Sequence, residues 1–214
     1  EDLDWYDALE RNGSRLSNSI NVSGGSEDHS VFLSASNLQE KGYVIESSYD
    51  RTTARLGGTF QPTEWLSLGG NMNLSTEKIT GSPSRGSSIA NVFGFAKNMG
   101  SIYSPYLIDP VTGAVIRDEA GNPIWDRGES ISSLGIQSRP TGVGRNAIEE
   151  AILNNELTKR NNLGYRFNSD FTIVEGLTAS IVFGQDIQSS INQSYENPEV
   201  GDGAPTARFL DERY

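Results

Sequence analysis

Cysteine is absent from the 214 residues, so the chain forms no disulfide and offers no thiolate for metal or redox chemistry. That absence selects no compartment. There is one histidine, His29, which alone can anchor neither a catalytic triad nor a histidine-based metal site. The longest apolar run is only a few residues, too short for a transmembrane helix, so any membrane role must come from strands. Only 35% of the residues are hydrophobic, while glycine reaches 23 and Ser and Asn are frequent, so a large soluble core is hard to fill. Basic residues are scarce relative to acids: 17 Lys and Arg against 28 Asp and Glu leave a formal charge of −11. No basic stripe is present to neutralise a phosphate backbone, which argues against nucleic acid as a partner.

What is present is alternation. From Arg15 to Ser23, Leu16, Ile20 and Val22 stand against Ser17, Ser19, Asn21 and Ser23. A second run sets Val31, Leu33 and Ala35 against Ser30, Ser34 and Ser36, with Phe32 breaking the polar set. A third sets Ala54, Leu56, Gly58 and Phe60 against Thr53, Arg55, Gly57 and Thr59. The fourth is the cleanest, Leu66, Leu68, Gly70, Met72 and Leu74 against Ser67, Gly69, Asn71, Asn73 and Ser75. A period of two with one greasy and one wet face predicts strands, because no helix keeps such a pattern on one face. The pattern resumes with Leu163, Tyr165, Phe167, Phe171 and Ile173, with Ser169 the exception, and again with Leu177, Ala179, Ile181 and Phe183, with Val182 the misfit.

The connections between these six strands differ in length. Gly24 to Asp28, Gln61 to Glu64 and Glu175–Gly176 read as tight turns, Pro62 presetting φ in the second. Leu38 to Asp50 reads as a longer loop, and about eighty residues reach from Glu77 to Leu157. Short connections then all fall at one end of the sheet. A soluble sandwich also alternates polar and apolar residues, but outer-membrane barrels pair short turns at one end with long loops at the other, on strands of about ten residues. The wet face is built of Ser, Thr, Asn and Gly with few charges, as a water-lined lumen tolerates. Trp65 and Phe60 flank one short turn, where an aromatic girdle or ordinary packing would place them.

The long insertion has small elements of its own. It opens with a Gly/Ser/Pro stretch, Gly81 to Ser88, followed by an apolar-spaced segment, Ile89 to Met99, that reads as helical. Ala114 to Arg117 and Pro123 to Asp126 read as a small hairpin, and Asn146 to Leu153 as a short helix with Asn146 as N-cap. Leu3, Trp5, Tyr6 and Leu9 have the spacing of another short helix, ended by Gly13. Nothing here predicts an enzyme or a cofactor. His29 reads as a solvated turn residue; Asp109, Asp118 and Glu119 lack the spacing of a calcium loop and read as turn residues. Glu149 and Glu150 read as a solvated helix start, and Gly142-Val143-Gly144 lacks the Lys-Ser/Thr of a phosphate loop. Tyr103, Tyr106 and Trp125 are the candidate contact residues: their faces suit a sugar ring or a partner protein, and equally a small core inside the loop.

Asp4-Trp5-Tyr6-Asp7, then Arg11-Asn12-Gly13 and Val22-Ser23-Gly24-Gly25-Ser26, resemble the SusC/RagA family of TonB-dependent outer-membrane transporters. Glu40-Lys41-Gly42-Tyr43-Val44-Ile45, Arg51 to Leu56, Pro62 before Trp65-Leu66, Asp109-Pro110 with Gly113, Gly121-Asn122-Pro123 and Gly144-Arg145 extend the resemblance over nearly the whole chain. It implies a barrel of about 22 strands with an internal plug, driven by TonB, capped by a SusD-type surface lipoprotein, lying in the outer membrane against lipid, and importing oligosaccharides or peptides. The chain opens at Glu1 with neither Met nor a signal-like segment and reads as a piece of something longer, lacking plug and TonB-contacting segment.

The expected fold class is therefore all-β, an antiparallel meander of about six strands from a large transmembrane barrel, with a long outer loop carrying short helices and a small hairpin. Residues 1–14 would end an outer loop, 15–77 form four barrel strands, 78–157 the long extracellular loop, 158–188 a barrel hairpin and 189–214 the start of the next loop. The alternative is a soluble β-rich glycan-binding module, in which a second sheet would cover Leu56, Leu68 and Met72.

Overall fold

A computed structural model describes residues 3–81, 91–201 and 208–214. Most of the Gly81 to Ser88 stretch, the start of the Ile89 to Met99 segment and Pro205 lie outside the described residues. The strands are β1 (Ser14–Gly25), β2 (His29–Lys41), β3 (Ser48–Thr63), β4 (Leu66–Gly81), β5 (Asn155–Val174), β6 (Leu177–Glu196) and β7 (Arg208–Arg213). All seven join one open antiparallel sheet in sequence order, and β4 pairs with β5 despite the insertion between them. The architecture is the all-β meander expected, with one strand more.

The differences from the expected boundaries have a common cause, since a ladder needs only backbone N–H and C=O groups and does not require alternating side chains. β2 and β3 run on through Gln39-Glu40-Lys41 and Ser48-Tyr49, which shortens the expected Leu38 to Asp50 loop to residues 42–47. β5 and β6 are 20 residues each, well past their alternating stretches. β7 has no alternation at all and pairs with the far end of β6, from Ile191 to Glu196. The second tight turn is Glu64-Trp65, with Pro62 inside β3 at a bulge, where its missing N–H breaks no ladder bond. In the first turn Ser26 is bonded to His29 twice, through its backbone N–H and its hydroxyl.

Register settles which residues share a face. Ile20, Ala35, Ala54, Leu74, Leu163 and Ile187 form one continuous cross-strand row from β1 to β6. Val22, Leu33, Leu56, Met72 and Tyr165 form the next, followed by Gly24, Val31, Gly58, Gly70, Phe167 and Phe183. No described residue covers this face: Ile20 is 65% exposed, Leu56 45% and Ile181 63%. The opposite face carries the serines and asparagines, with Phe32, Leu38, Tyr49, Ile79 and Val182 as apolar intruders; it also carries more charge than expected, in Arg51, Arg55, Glu77, Arg160, Arg166 and Asp186.

The packed core lies off the sheet. Helix α1 (Trp5–Leu9), helix α2 (Val92–Asn98) and helix α3 (Ala147–Leu153) meet around Trp5, Leu9, Phe95, Ala96, Met99, Ala147 and Ile148. Each helix starts on a side-chain cap, Asp4, Asn91 and Asn146 respectively. Helices of five to seven residues are too short to persist alone, so this shared apolar contact is what holds them. Ile45, from the β2–β3 loop, packs on the same core, which ties three separate loops into one cap.

Candidate functional site

The cap is held by charged groups that the sequence reading placed in water. Glu149 is 2% exposed and accepts two hydrogen bonds from Arg127, at 2.9 and 2.6 Å, the geometry in which a guanidinium binds a carboxylate most strongly. That pairing, against the opposing effect of burial, raises the pKa of Arg127. Glu150 is paired with Arg145 at 2.8 Å. Both glutamates therefore correct the expectation of a solvated helix start: α3 is covered by the segment 126–145 as well as by α2. Seven residues of mixed polarity carry no signal of that second contact, because Arg127 lies 22 residues from the glutamate it satisfies and Arg145 stands outside the helix, just before its N-cap.

Arg139 is a further buried cation, 5% exposed. Its guanidinium donates to the carbonyls of Gly142 at 3.2 Å and Arg145 at 2.7 Å, and faces the rings of Phe95 and Tyr103, each at 5.9 Å. Burial lowers its pKa. The contact requires glycine at 128, where φ is +71° and a Cβ would fall on the guanidinium.

The three candidate aromatics are half-buried, and the structure brings two of them together. Tyr106 and Trp125 are bridge partners with ring centroids 4.7 Å apart. Behind them Leu107, Ile116 and Ile124 bond in a ring of three: Leu107 N–H to Ile124 O, Ile124 N–H to Ile116 O, and Ile116 N–H to Leu107 O, all 2.9–3.0 Å. The expected hairpin of 114–117 with 123–126 is thus one side of a three-sided unit. Trp125 also packs on the helical core, as does Tyr103, which lies against Arg139. Tyr103 and Tyr106 still line an open hollow of about 380 Å³ with Ile102, Leu107, Ile108 and Ile136. Trp125 lines a second hollow of about 520 Å³, whose wall holds Asp118, Asp126, Arg127 and Glu129.

The acids weighed for calcium close turns. Asp109 accepts from the backbone N–H of Val111 and Thr112, and Asp118 from that of Asn122, bonds that lower both carboxyl pKa values. Among the described residues no cluster of three acidic or histidine side chains could hold a metal.

The sheet itself is a wall with unlike sides, one apolar and uncovered, the other polar and lined with arginine, with the cap at the long-loop end. Chains of two solved structures share the backbone fold over 100% of the present chain: a chain of the RagAB peptide importer in its "closed-closed" state, with a TM-score of 0.69, and a chain of the RagAB peptide transporter, with 0.70. Identity is 20% in both, and the present chain spans 22% of the length of each. The likeness is one of fold. No family model and no curated protein matches the sequence.

Proposed function

We propose that this chain forms part of the wall and outer loops of an outer-membrane β-barrel importer. The observation that carries the reading is the uncovered apolar face. On β4 it runs from Leu66 to Leu74, and eight steps of about 3.3 Å along a strand tilted by roughly 40° span about 20 Å of membrane height, against the ~25 Å apolar band of such barrels. At the long-loop end the face meets a polar row, Asn18, Asn37, Thr52, Thr76, Asn161 and Ser189, each the register partner of the next, and beyond it only Leu16 and Ile191 are apolar in the following row. A soluble glycan-binding sandwich needs a second apolar sheet against Leu56, Leu68 and Met72, and the described residues supply none.

In this reading the polar face lines the pore, the short turns face the periplasm and the cap stands outside the cell. The cargo is a peptide or oligosaccharide delivered under a SusD-type lipoprotein lid, and TonB drives uptake through segments of the barrel protein beyond this stretch. The role is non-catalytic. Tyr106 and Trp125 are the side chains offered to cargo or lid, while Tyr103 braces the cap. The fold likeness to chains of a peptide importer supports the reading and favours peptide as cargo. Its test is cell fractionation followed by uptake: the protein should sediment with the outer membrane and migrate differently before and after boiling. Tyr106→Ala should leave both unchanged and weaken lid co-purification or uptake. Recovery in the soluble fraction would overturn the reading.

A further inference from the structure

The basic residues of β1 to β6 are sorted by type between the two faces. Arg15, Arg51, Arg55, Arg160 and Arg166 all stand on the polar face, and Lys41, Lys78 and Lys159 all stand on the other. The whole chain has four lysines, so three of the four share one face and one end of one sheet. The three are solvent-exposed. They stand just past the polar row that closes the apolar band: Lys78 and Lys159 are two residues beyond Thr76 and Asn161, and Lys41 is four beyond Asn37.

Two further observations point to an anionic occupant. Lys78 and Lys159 are direct register partners, and like charges opposite each other across a ladder repel. Asp50, the one acid on this face of the six strands, is the partner of Lys78 across β3, yet among the described residues no ion pair reaches any of the three lysines. The patch is therefore cationic on a chain of charge −11. Its height fits one kind of anion. Two residues along a tilted strand lift the backbone by about 5 Å, and the interfacial layer beyond the hydrocarbon is about 6 Å thick. A flexible ammonium stem started there ends among lipid headgroups, its methylenes lying along the apolar surface. On β1 to β6 arginine, whose planar fork needs fixed acceptors, is kept to the polar side; Arg213 of β7, the register partner of Ile191, is the exception and stands in the outward row of Lys78 and Lys159.

We infer that Lys78 and Lys159, assisted by Lys41, form a site on the outward face for the phosphate of an anionic membrane lipid. The inference rests on the reading of the sheet as a membrane wall. It is tested on the intact barrel protein, extracted from membranes and placed in nanodiscs of phosphatidylglycerol mixed with phosphatidylcholine, by counting the lipids it retains by native mass spectrometry. The wild type should retain phosphatidylglycerol in preference to phosphatidylcholine. Lys78→Gln with Lys159→Gln should weaken that preference about fivefold per lysine, Lys78→Arg with Lys159→Arg should keep most of it, and Lys97→Gln, in the cap, should leave it intact. Equal retention by the glutamine variants, in protein that still shows heat-modifiable migration, would overturn this proposal alone. A protein absent from the membrane fraction would overturn the wall reading and this proposal with it.

Discussion

Asn146 joins three segments of the cap through one buried side chain. It is 1% exposed, and its Oδ1 accepts from the backbone N–H of Ile148 at 3.1 Å and Glu149 at 3.2 Å. Its Nδ2 donates to the carbonyls of Pro105 at 2.8 Å and Asp126 at 3.0 Å. Asn146→Ala removes a helix cap, worth about 1 kcal/mol, and two donated bonds worth about 1 kcal/mol each. The sum, about 3 kcal/mol, corresponds to a local opening roughly a hundredfold more frequent. Asn146→Asp separates the two roles: it keeps the cap and gains the helix dipole, but sets a carboxylate oxygen where the amide donated. It should therefore lose about 2 kcal/mol. The assay is hydrogen exchange in the intact protein at the amides of Phe95, Met99, Glu150 and Asn154, whose bonds close only when the cap is formed. If the Asp variant exchanges like wild type, the bonds to Pro105 and Asp126 contribute nothing and the account of the cap is wrong.

On the sheet, Leu56→Arg or Leu68→Arg should cost about 2 to 4 kcal/mol of membrane folding, being one row either side of the middle of the apolar band. Asn71→Arg, one position away in parity, should fold as wild type in a detergent refolding titration. Gly128→Ala should destabilise the cap by about 2 kcal/mol or more, through strain at positive φ and displacement of Arg139; proteolysis near residue 139 should reveal it, and a wild-type digestion pattern would refute it. The turns closed by Asp109 and Asp118 should respond to acid. Their folded pKa values lie below the ordinary 3.8, so their contribution is complete above that value and is lost as pH falls through the lowered one. Pepsin cleavage between residues 109 and 122 should then rise at the acidic end of a pH series, and should rise at higher pH in Asp109→Ala.

The strands were legible because each has two unlike environments, which forces a period of two on residues such as Leu66 to Ser75. Where a strand runs past that contrast, as in residues 39–41 or 187–196, nothing in the side chains marks it, and the ladder continues unseen. β7 is the extreme case. Register was legible only as neighbour order, so the sorting of arginine from lysine needed the paired strands. In the cap, caps and turns were readable from local chemistry at Asn146, Asp109 and Asp118. The burial of Glu149, Glu150 and Arg139 was not: Glu149 depends on Arg127, 22 residues away, Arg139 on the distant rings of Phe95 and Tyr103, and Glu150 on a turn that folds Arg145 back onto the helix it precedes. Tyr106 and Trp125 were visible as aromatics but not as a touching pair.

The central claim is that the even-numbered side chains of β4 face lipid and the odd-numbered ones face water. The chain has no cysteine, so single cysteines can be placed at positions 67 to 74 against a clean background. With a spin label at each site in the membrane-embedded protein, collisions with oxygen report lipid and collisions with a nickel chelate report water. Labels at Leu68, Gly70, Met72 and Leu74 should favour oxygen, and labels at Ser67, Gly69, Asn71 and Asn73 should favour the chelate, alternating residue by residue. Chelate access equal at both sets, or protection of the even set from both reagents, would contradict a lipid-facing wall.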